Sequence, residues 1–196
     1  MKNICVFGSS SSTLHKIYYE DAYLLGSLIA KNGYGLVFGA GDMGMMGSCA
    51  RGVHSIEGGH VTGVIPSFMN TSGIAYSKCD ELIITESMRE RKRQMEELSQ
   101  VFVTVAGGFG TFEELFEVIT LKQLVRHKKQ ILILNTNGYY NKLIGFLDEC
   151  VTQNFSNPQN NMVYTVVNTP QEVMTAIKNY QYSPLDTKRF SHTTEE

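Results

Sequence analysis

The 196-residue chain has no tryptophan, only four prolines and only four cysteines. No stretch approaches the roughly 20 consecutive apolar residues that a membrane-spanning helix needs, so a spanning segment is excluded. The cysteines, Cys5, Cys49, Cys79 and Cys150, are far apart, with no CxxC pair and no Cys/His pair at metal spacing. That argues against a zinc site and a disulfide framework, and fits thiols kept reduced in the cytoplasm. The five histidines are equally dispersed and form no HExxH or HxxxH pattern. Charge of one sign is also missing. A formal net charge of -2 lacks the strong positive field that nucleic-acid binding through phosphates requires. Met1–Ser12 turns polar after one short apolar run, so no secretory leader is expected.

What is present fits a globular domain, with 42% hydrophobic and 18% charged residues. Short Val/Ile-rich runs alternate with helical patterns. The strand candidates are Asn3–Phe7, Gly35–Phe38, His60–Ile65, Glu81–Thr85, Val101–Val105, Gln130–Leu134 and Val163–Val167. They are nearly continuous in apolar character, as strands covered on both faces should be. Helical periodicity fills the gaps at Lys16–Asn32, Gly44–Gly58, Met88–Ser99, Gly110–Val125, Tyr139–Thr152 and Pro170–Tyr180. This alternation predicts a single-domain α/β fold over residues 1–182: a doubly wound, Rossmann-like parallel sheet with helices on both faces. Residues 183–196 are polar and aperiodic and are expected to form a mobile tail.

In such sheets ligands bind beyond the carboxyl ends of the strands. Three glycine-containing turns fall there. Gly8 and Ser9 open a serine-rich turn after the first strand, where glycine lets a ligand approach and hydroxyls offer hydrogen bonds, or where the serines cap the next helix. Gly39-Ala40-Gly41-Asp42-Met43-Gly44 is a literal GxGxxG, but it follows the second strand and no carboxylate ends the third. The dinucleotide reading therefore gives way to close packing or to backbone approach to a smaller nucleotide. Gly107-Gly108-Phe109-Gly110-Thr111 precedes a strongly periodic helix, so successive N–H groups at a helix start form an anion site. No lysine follows these glycines, which removes the Walker A reading. Among Met43, Met45 and Met46, a base pocket and plain core filling both remain open.

Two ionised side chains fall on apolar helical stripes. Arg91 lies in line with Met88, Met95 and Leu98, and Glu114 with Thr111, Val118, Leu121 and Val125. Arg89, Lys92 and Arg93 fall off the first stripe, and Glu113 aligns with Glu117 and Thr120 on a more polar face. A charge removed from water is costly unless paired, and Arg91 and Glu114 are each other's most economical partner. Such a pair can simply lock two helices, or can hold a carboxylate ionised at the mouth of a phosphate site.

Gly39–Gly47 (GAGDMGMMG), Met88–Met95 (MRERKRQM) and Ala106–Glu114 (AGGFGTFEE) together resemble the Lonely Guy family, cytokinin riboside 5′-monophosphate phosphoribohydrolases often labelled lysine decarboxylases. The resemblance covers roughly residues 1–180. It implies hydrolysis of the N-glycosidic bond of nucleoside 5′-monophosphates, AMP-like or cytokinin-like, to free base and ribose 5-phosphate. It implies Arg91 and Glu114 as catalytic residues. It implies a phosphate binder at Gly107, Gly108, Phe109, Gly110 and Thr111 and substrate contacts from Arg91 and Lys92; Gly8, Ser9, Gly41, Met88 and Thr120 complete the residues expected at the substrate. No cofactor or metal is implied, and the expected assembly is a homodimer. One departure is Ala106, which stands where the family has proline. The competing readings are a non-catalytic nucleotide-binding or carrier protein, a pyridoxal-phosphate decarboxylase for which no anchoring lysine is placed, and a dinucleotide oxidoreductase resting on GxGxxG alone.

Overall fold

The computed structural model describes residues 1–71, 73–158 and 162–184. The expected tail falls almost wholly outside them. Seven strands, β1 (Lys2–Phe7), β2 (Tyr34–Phe38), β3 (Val61–Pro66), β4 (Glu81–Thr85), β5 (Val101–Thr104), β6 (Gln130–Leu134) and β7 (Thr165–Val167), alternate with six helices. The helices are α1 (Lys16–Lys31), α2 (Gly44–His54), α3 (Met88–Glu97), α4 (Phe109–Gln123), α5 (Asn141–Thr152) and α6 (Pro170–Lys178). Each strand and helix expected from the sequence is present. The strands form one parallel sheet in the order β4-β3-β2-β1-β5-β6-β7.

The alternation of side chains along each strand divides the core in two. Ile4 and Val6 of β1 face α1, α2 and α6, where they join Leu25, Met45 and Val173. Cys5 and Phe7 face the opposite layer with Met95 of α3 and Leu115 of α4. The exception to double coverage is β4, whose Leu82 and Ile84 stay exposed. It is an edge strand with a neighbour on one side only. Helix ends shift by a few residues where the backbone turns. Asn137 and Gly138 take positive φ angles of 54° and 71°, so α5 starts after this turn rather than at Tyr139.

The chain winds outward from β1 through β4, then returns to the other side of β1 for β5. The segments leaving β1 and β5 therefore diverge and open a crevice between their carboxyl ends. Two bonds carry the ladder past both strand ends: Val105 donates to Phe7 (2.9 Å) and Ser9 to Ala106 (3.0 Å). The Gly8 and Gly107 turns are thus fixed side by side.

Glycines also set how closely α1 and α2 pack. A Cβ on Gly26 would lie 2.0 Å from the Cys49 carbonyl oxygen, and one on Gly52 would lie 2.0 Å from that of Tyr23. The Ser48 hydroxyl donates across this interface to the Tyr19 carbonyl at 2.8 Å. Because the obstructing atoms are backbone, no rotamer change relieves a side chain there. Gly52→Val is expected to lower stability by about 1–3 kcal/mol, read from the urea midpoint, as overpacking of a close contact does.

Candidate active site

Helix α3 is built for a defined start. Ser87 accepts from the Glu90 amide at 3.2 Å, and the Glu90 carboxylate accepts from the Glu86 amide at 3.0 Å, a reciprocal cap. This start places Arg91 one turn in, pointing under the sheet edge. Its Nε donates to the Val64 carbonyl at the end of β3 (3.1 Å), and its Nη1 to Oε1 of Glu114 at 2.9 Å. Both residues are buried, with exposures of 7% and 8%. Burial raises the Glu114 carboxyl above its ordinary range, and the Arg91 charge and hydrogen bond oppose that rise. The result is a carboxylate with one oriented donor and little water.

Helix α4 starts differently. Gly108 is its N-cap, with no side-chain cap and no acidic residue in the first turn. Its first amides therefore lack a capping side chain, an arrangement that suits an anion. They open on a cavity of 390 Å³. One wall is Gly8, Ser9, Ser10 and Ser11 after β1, and another is Gly108, Gly110 and Thr111. A Cβ on Gly108 or Gly110 would meet no protein atom within 4 Å, which leaves that space to a ligand. Arg91, Glu113 and Glu114 lie on the floor and rim, and Met46, Met69 and Met88 complete the lining. Polar donors and thioether surface thus share one cavity, suited to a ligand with an anionic part and a flat apolar part.

Of the residues expected at the site, Gly8, Ser9, Met88, Arg91, Gly108, Gly110, Thr111 and Glu114 line this cavity together. Gly41, Lys92, Gly107, Phe109 and Thr120 do not. Gly41 bridges to Ala75 and abuts Met46. Lys92 is not solvated: its Nζ binds Glu113 and, at 2.9 Å, Glu117, tying α3 to α4. Gly107 faces a second cavity behind the turn. Phe109 is 91% exposed, and Thr120 lies on the outward face of α4. Sequence reasoning did not reach Met69 or Glu113. Met69 ends a short 3-10 turn, Ser67–Met69, that carries no periodic signal, and Glu113 sits on the more polar face of its helix.

The GxGxxG segment proves to serve packing. A Cβ on Gly39 would fall 1.9 Å from Nη2 of Arg91, so this glycine makes the slot for the guanidinium. Gly44, at φ 65°, lies against the backbone of Ser9 and Ser10. Among the described residues no cluster of His, Cys, Asp or Glu could hold a metal ion, and no helix is long and apolar enough to cross a membrane.

The doubly wound parallel fold is shared by solved structures. The molybdenum cofactor binding protein of Rippkaea orientalis superposes with a TM-score of 0.70 at 23% identity, covering 91% of this chain and 96% of that one. The molybdenum cofactor carrier protein of Chlamydomonas reinhardtii gives 0.66 at 22% identity, covering 91% and 97%. At such identities the likeness speaks for the fold alone. Sequence relatives are closer. The probable cytokinin riboside 5′-monophosphate phosphoribohydrolase LOGL2 of Oryza sativa subsp. japonica is 37% identical over 183 residues, covering 93% of this chain and 74% of the relative. The cytokinin riboside 5′-monophosphate phosphoribohydrolase LOG7 of Arabidopsis thaliana is 36% identical over 180 residues, covering 92% and 82%. The family profile described as "Possible lysine decarboxylase" matches residues 46–177. The chain belongs to this family, the Lonely Guy family.

The confined guanidinium makes a sharp test of the slot. Gly39→Ala is expected to break the Arg91–Glu114 pair and cost about 3 kcal/mol, the scale for a buried pair that loses its geometry. Gly108→Ala, with open space around it, is expected to stay within about 0.5 kcal/mol. Urea denaturation of both variants checks the contrast.

Proposed function

We propose that the protein hydrolyses the N-glycosidic bond of nucleoside 5′-monophosphates, giving free base and ribose 5-phosphate. The observation that carries this reading is a buried carboxylate, oriented by an arginine, opening on the same cavity as an uncapped helix N-terminus. The first amides of α4 and Thr111 bind the phosphate. That anchorage sets the ribose over Glu114 and leaves the base against the thioethers of Met46, Met69 and Met88. As the base departs, the C1′–N bond breaks with its electron pair going to the base, and positive charge develops on the ribose. Glu114 stabilises that charge and accepts a proton from the attacking water, whose oxygen forms the new bond to C1′. The base takes up one proton from solvent as it leaves, and Glu114 releases to solvent the proton it took from water, which restores the ionised carboxylate. Arg91 keeps Glu114 ionised and aimed. Family membership and the names of the relatives support the same activity.

The chain acts as a homodimer in the cytoplasm in this reading. Support for a dimer comes from α4, whose outward face carries Phe109 at 91% and Phe116 at 37% exposure. These residues are seven apart, on one stripe. Sedimentation equilibrium is expected to give twice the chain mass.

Purified protein incubated with a panel of nucleoside 5′-monophosphates is expected to release base, read by chromatography. Glu114→Gln keeps the shape, removes the charge and should cost about 10²-fold or more in kcat. Adenosine, lacking the phosphate, should be a poor substrate beside AMP. The pH profile has a definite sign. Glu114 acts ionised, and burial raises its carboxyl above the ordinary 4.5. The acid limb of kcat should therefore have its midpoint above 4.5, with activity lost as pH falls through it. Near-native turnover by Glu114→Gln would overturn the assignment. AMP bound without release would turn the reading to a nucleotide-binding protein.

A further inference from the structure

The Gly107–Gly108 peptide is a thin wall between two cavities. On one side lies the 390 Å³ site, lined by Gly108, Gly110 and Thr111. On the other lies a 220 Å³ cavity bounded by Gly107, Leu14, Tyr18 and Tyr139, with Ser9 and Gly108 bordering both. A peptide between two glycines has the least steric resistance to rotation. With a cavity at its back, such a turn has room to move away from a ligand.

Three consecutive carbonyls hold it. The Tyr140 hydroxyl donates to Val105 at 2.8 Å, the Ser9 amide to Ala106 at 3.0 Å, and the Tyr139 hydroxyl to Gly107 at 2.7 Å. The tyrosines are themselves fixed. The Tyr140 amide donates to the Asn135 side chain at 2.7 Å, and Asn135 donates to Asn141 at 2.8 Å. The Thr136 hydroxyl donates to Asp21 of α1 at 2.6 Å. The two tyrosine rings meet edge to face at 4.9 Å, and Tyr139 meets Tyr18 the same way at 5.9 Å. Burial raises the Tyr140 hydroxyl well above its ordinary range, so it remains a neutral donor.

No peptide bond among the described residues is cis. In a trans peptide the C=O and the following N–H point in opposite directions. The Gly107 carbonyl turns back to Tyr139, which lines the rear cavity and not the main one, so the Gly108 N–H points away from the rear cavity. If that peptide flipped, a carbonyl oxygen would face the ligand's anion instead of a donor.

We propose that Tyr139 is a positioning residue for the substrate phosphate: its hydroxyl fixes the Gly107–Gly108 peptide so that the Gly108 amide faces the anion, with Tyr140 holding the strand end behind it. These tyrosines take over the restraint that a proline at Ala106 would supply. The inference rests on the phosphoribohydrolase reading for its substrate, but its test can be read separately.

Tyr139→Phe keeps both ring contacts and removes one hydroxyl. The KM for AMP should rise about tenfold, the scale of one hydrogen bond acting on a charged ligand, with kcat changed less than about twofold. Inhibition by ribose 5-phosphate should weaken by the same factor. The slow rate on adenosine should not change, because it has no phosphate to misplace. The Ala106 amide donates no hydrogen bond among the described residues. Adding Ala106→Pro to Tyr139→Phe should therefore recover most of the lost affinity by stiffening the turn. An unchanged KM for AMP, equal losses on AMP and adenosine, or loss of cooperative thermal unfolding would each overturn the proposal in favour of a purely structural hydroxyl. If the wild type binds AMP but releases no base, the hydrolase reading fails alone. AMP affinity by calorimetry then decides the role of Tyr139 by the same tenfold criterion.

Discussion

A guanidinium and a carboxylate each lose several kcal/mol of hydration when buried, and only good geometry returns it. The Arg91–Glu114 pair at 2.9 Å makes that demand on the structure around it. Its geometry needs α3 and α4 to start at the same level of the sheet, and both do because each follows the carboxyl end of a strand of one parallel sheet, β4 and β5. It needs the Val64 carbonyl as a second acceptor, and Gly39 as a slot for the guanidinium. Lys92, held by Glu113 and Glu117 of α4, repeats the α3–α4 tie nearer the surface, where solvent weakens it. A pair of this kind adds little net stability. Its worth lies in delivering an oriented, nearly dry carboxylate to a cavity that the rest of the chain shapes for an anion.

The anion side depends on a different economy. Helix α4 begins without a capping side chain, so its first amides remain unsatisfied by the protein. That cost is tolerable where a phosphate supplies the acceptors. Glycines at 108 and 110 keep the approach open, while Thr111 folds back over Gly107. The turn stays in place because its carbonyls, rather than its side chains, are tethered. Two of the three tethers come from the segment after β6, far in sequence from the glycines they steady, and the third from Ser9 after β1.

Much of this was legible in the residues. Seven apolar runs and six periodic segments sufficed for the architecture, because strands covered on both faces must be continuous in apolar character. The edge strand β4 read like the others, since its neighbours on the sheet are not written in its own sequence. Arg91 and Glu114 stood out because a charge on an apolar stripe needs a partner. The turn before α4 stood out because its glycines lead into a strongly periodic helix, where free amides can meet an anion. Less legible was the GxGxxG segment: its pattern suggested ligand contact, while the fold uses Gly39 to seat an arginine from another helix. Lys92 fell off the apolar stripe, and its two carboxylate partners lie on α4, beyond the reach of its own helix pattern.

Periodicity, glycine placement and misplaced charge are local properties, and the sequence by itself determined through them the alternation of strands and helices, the glycine turn before α4 and the identity of the two buried charges. The tertiary structure alone decided which residues share the cavity and which fall behind it. Gly107 and Gly108 are adjacent in the chain, yet only Gly108 reaches the main cavity, and Phe109 and Thr120 turn outward. It also decided that Tyr139 and Tyr140 reach the carbonyls of Gly107 and Val105. Those contacts arise because β5 and β6 are neighbours in the sheet. The direction of a carbonyl and the back of a turn depend on backbone torsions and on strand order, neither of which a residue type encodes.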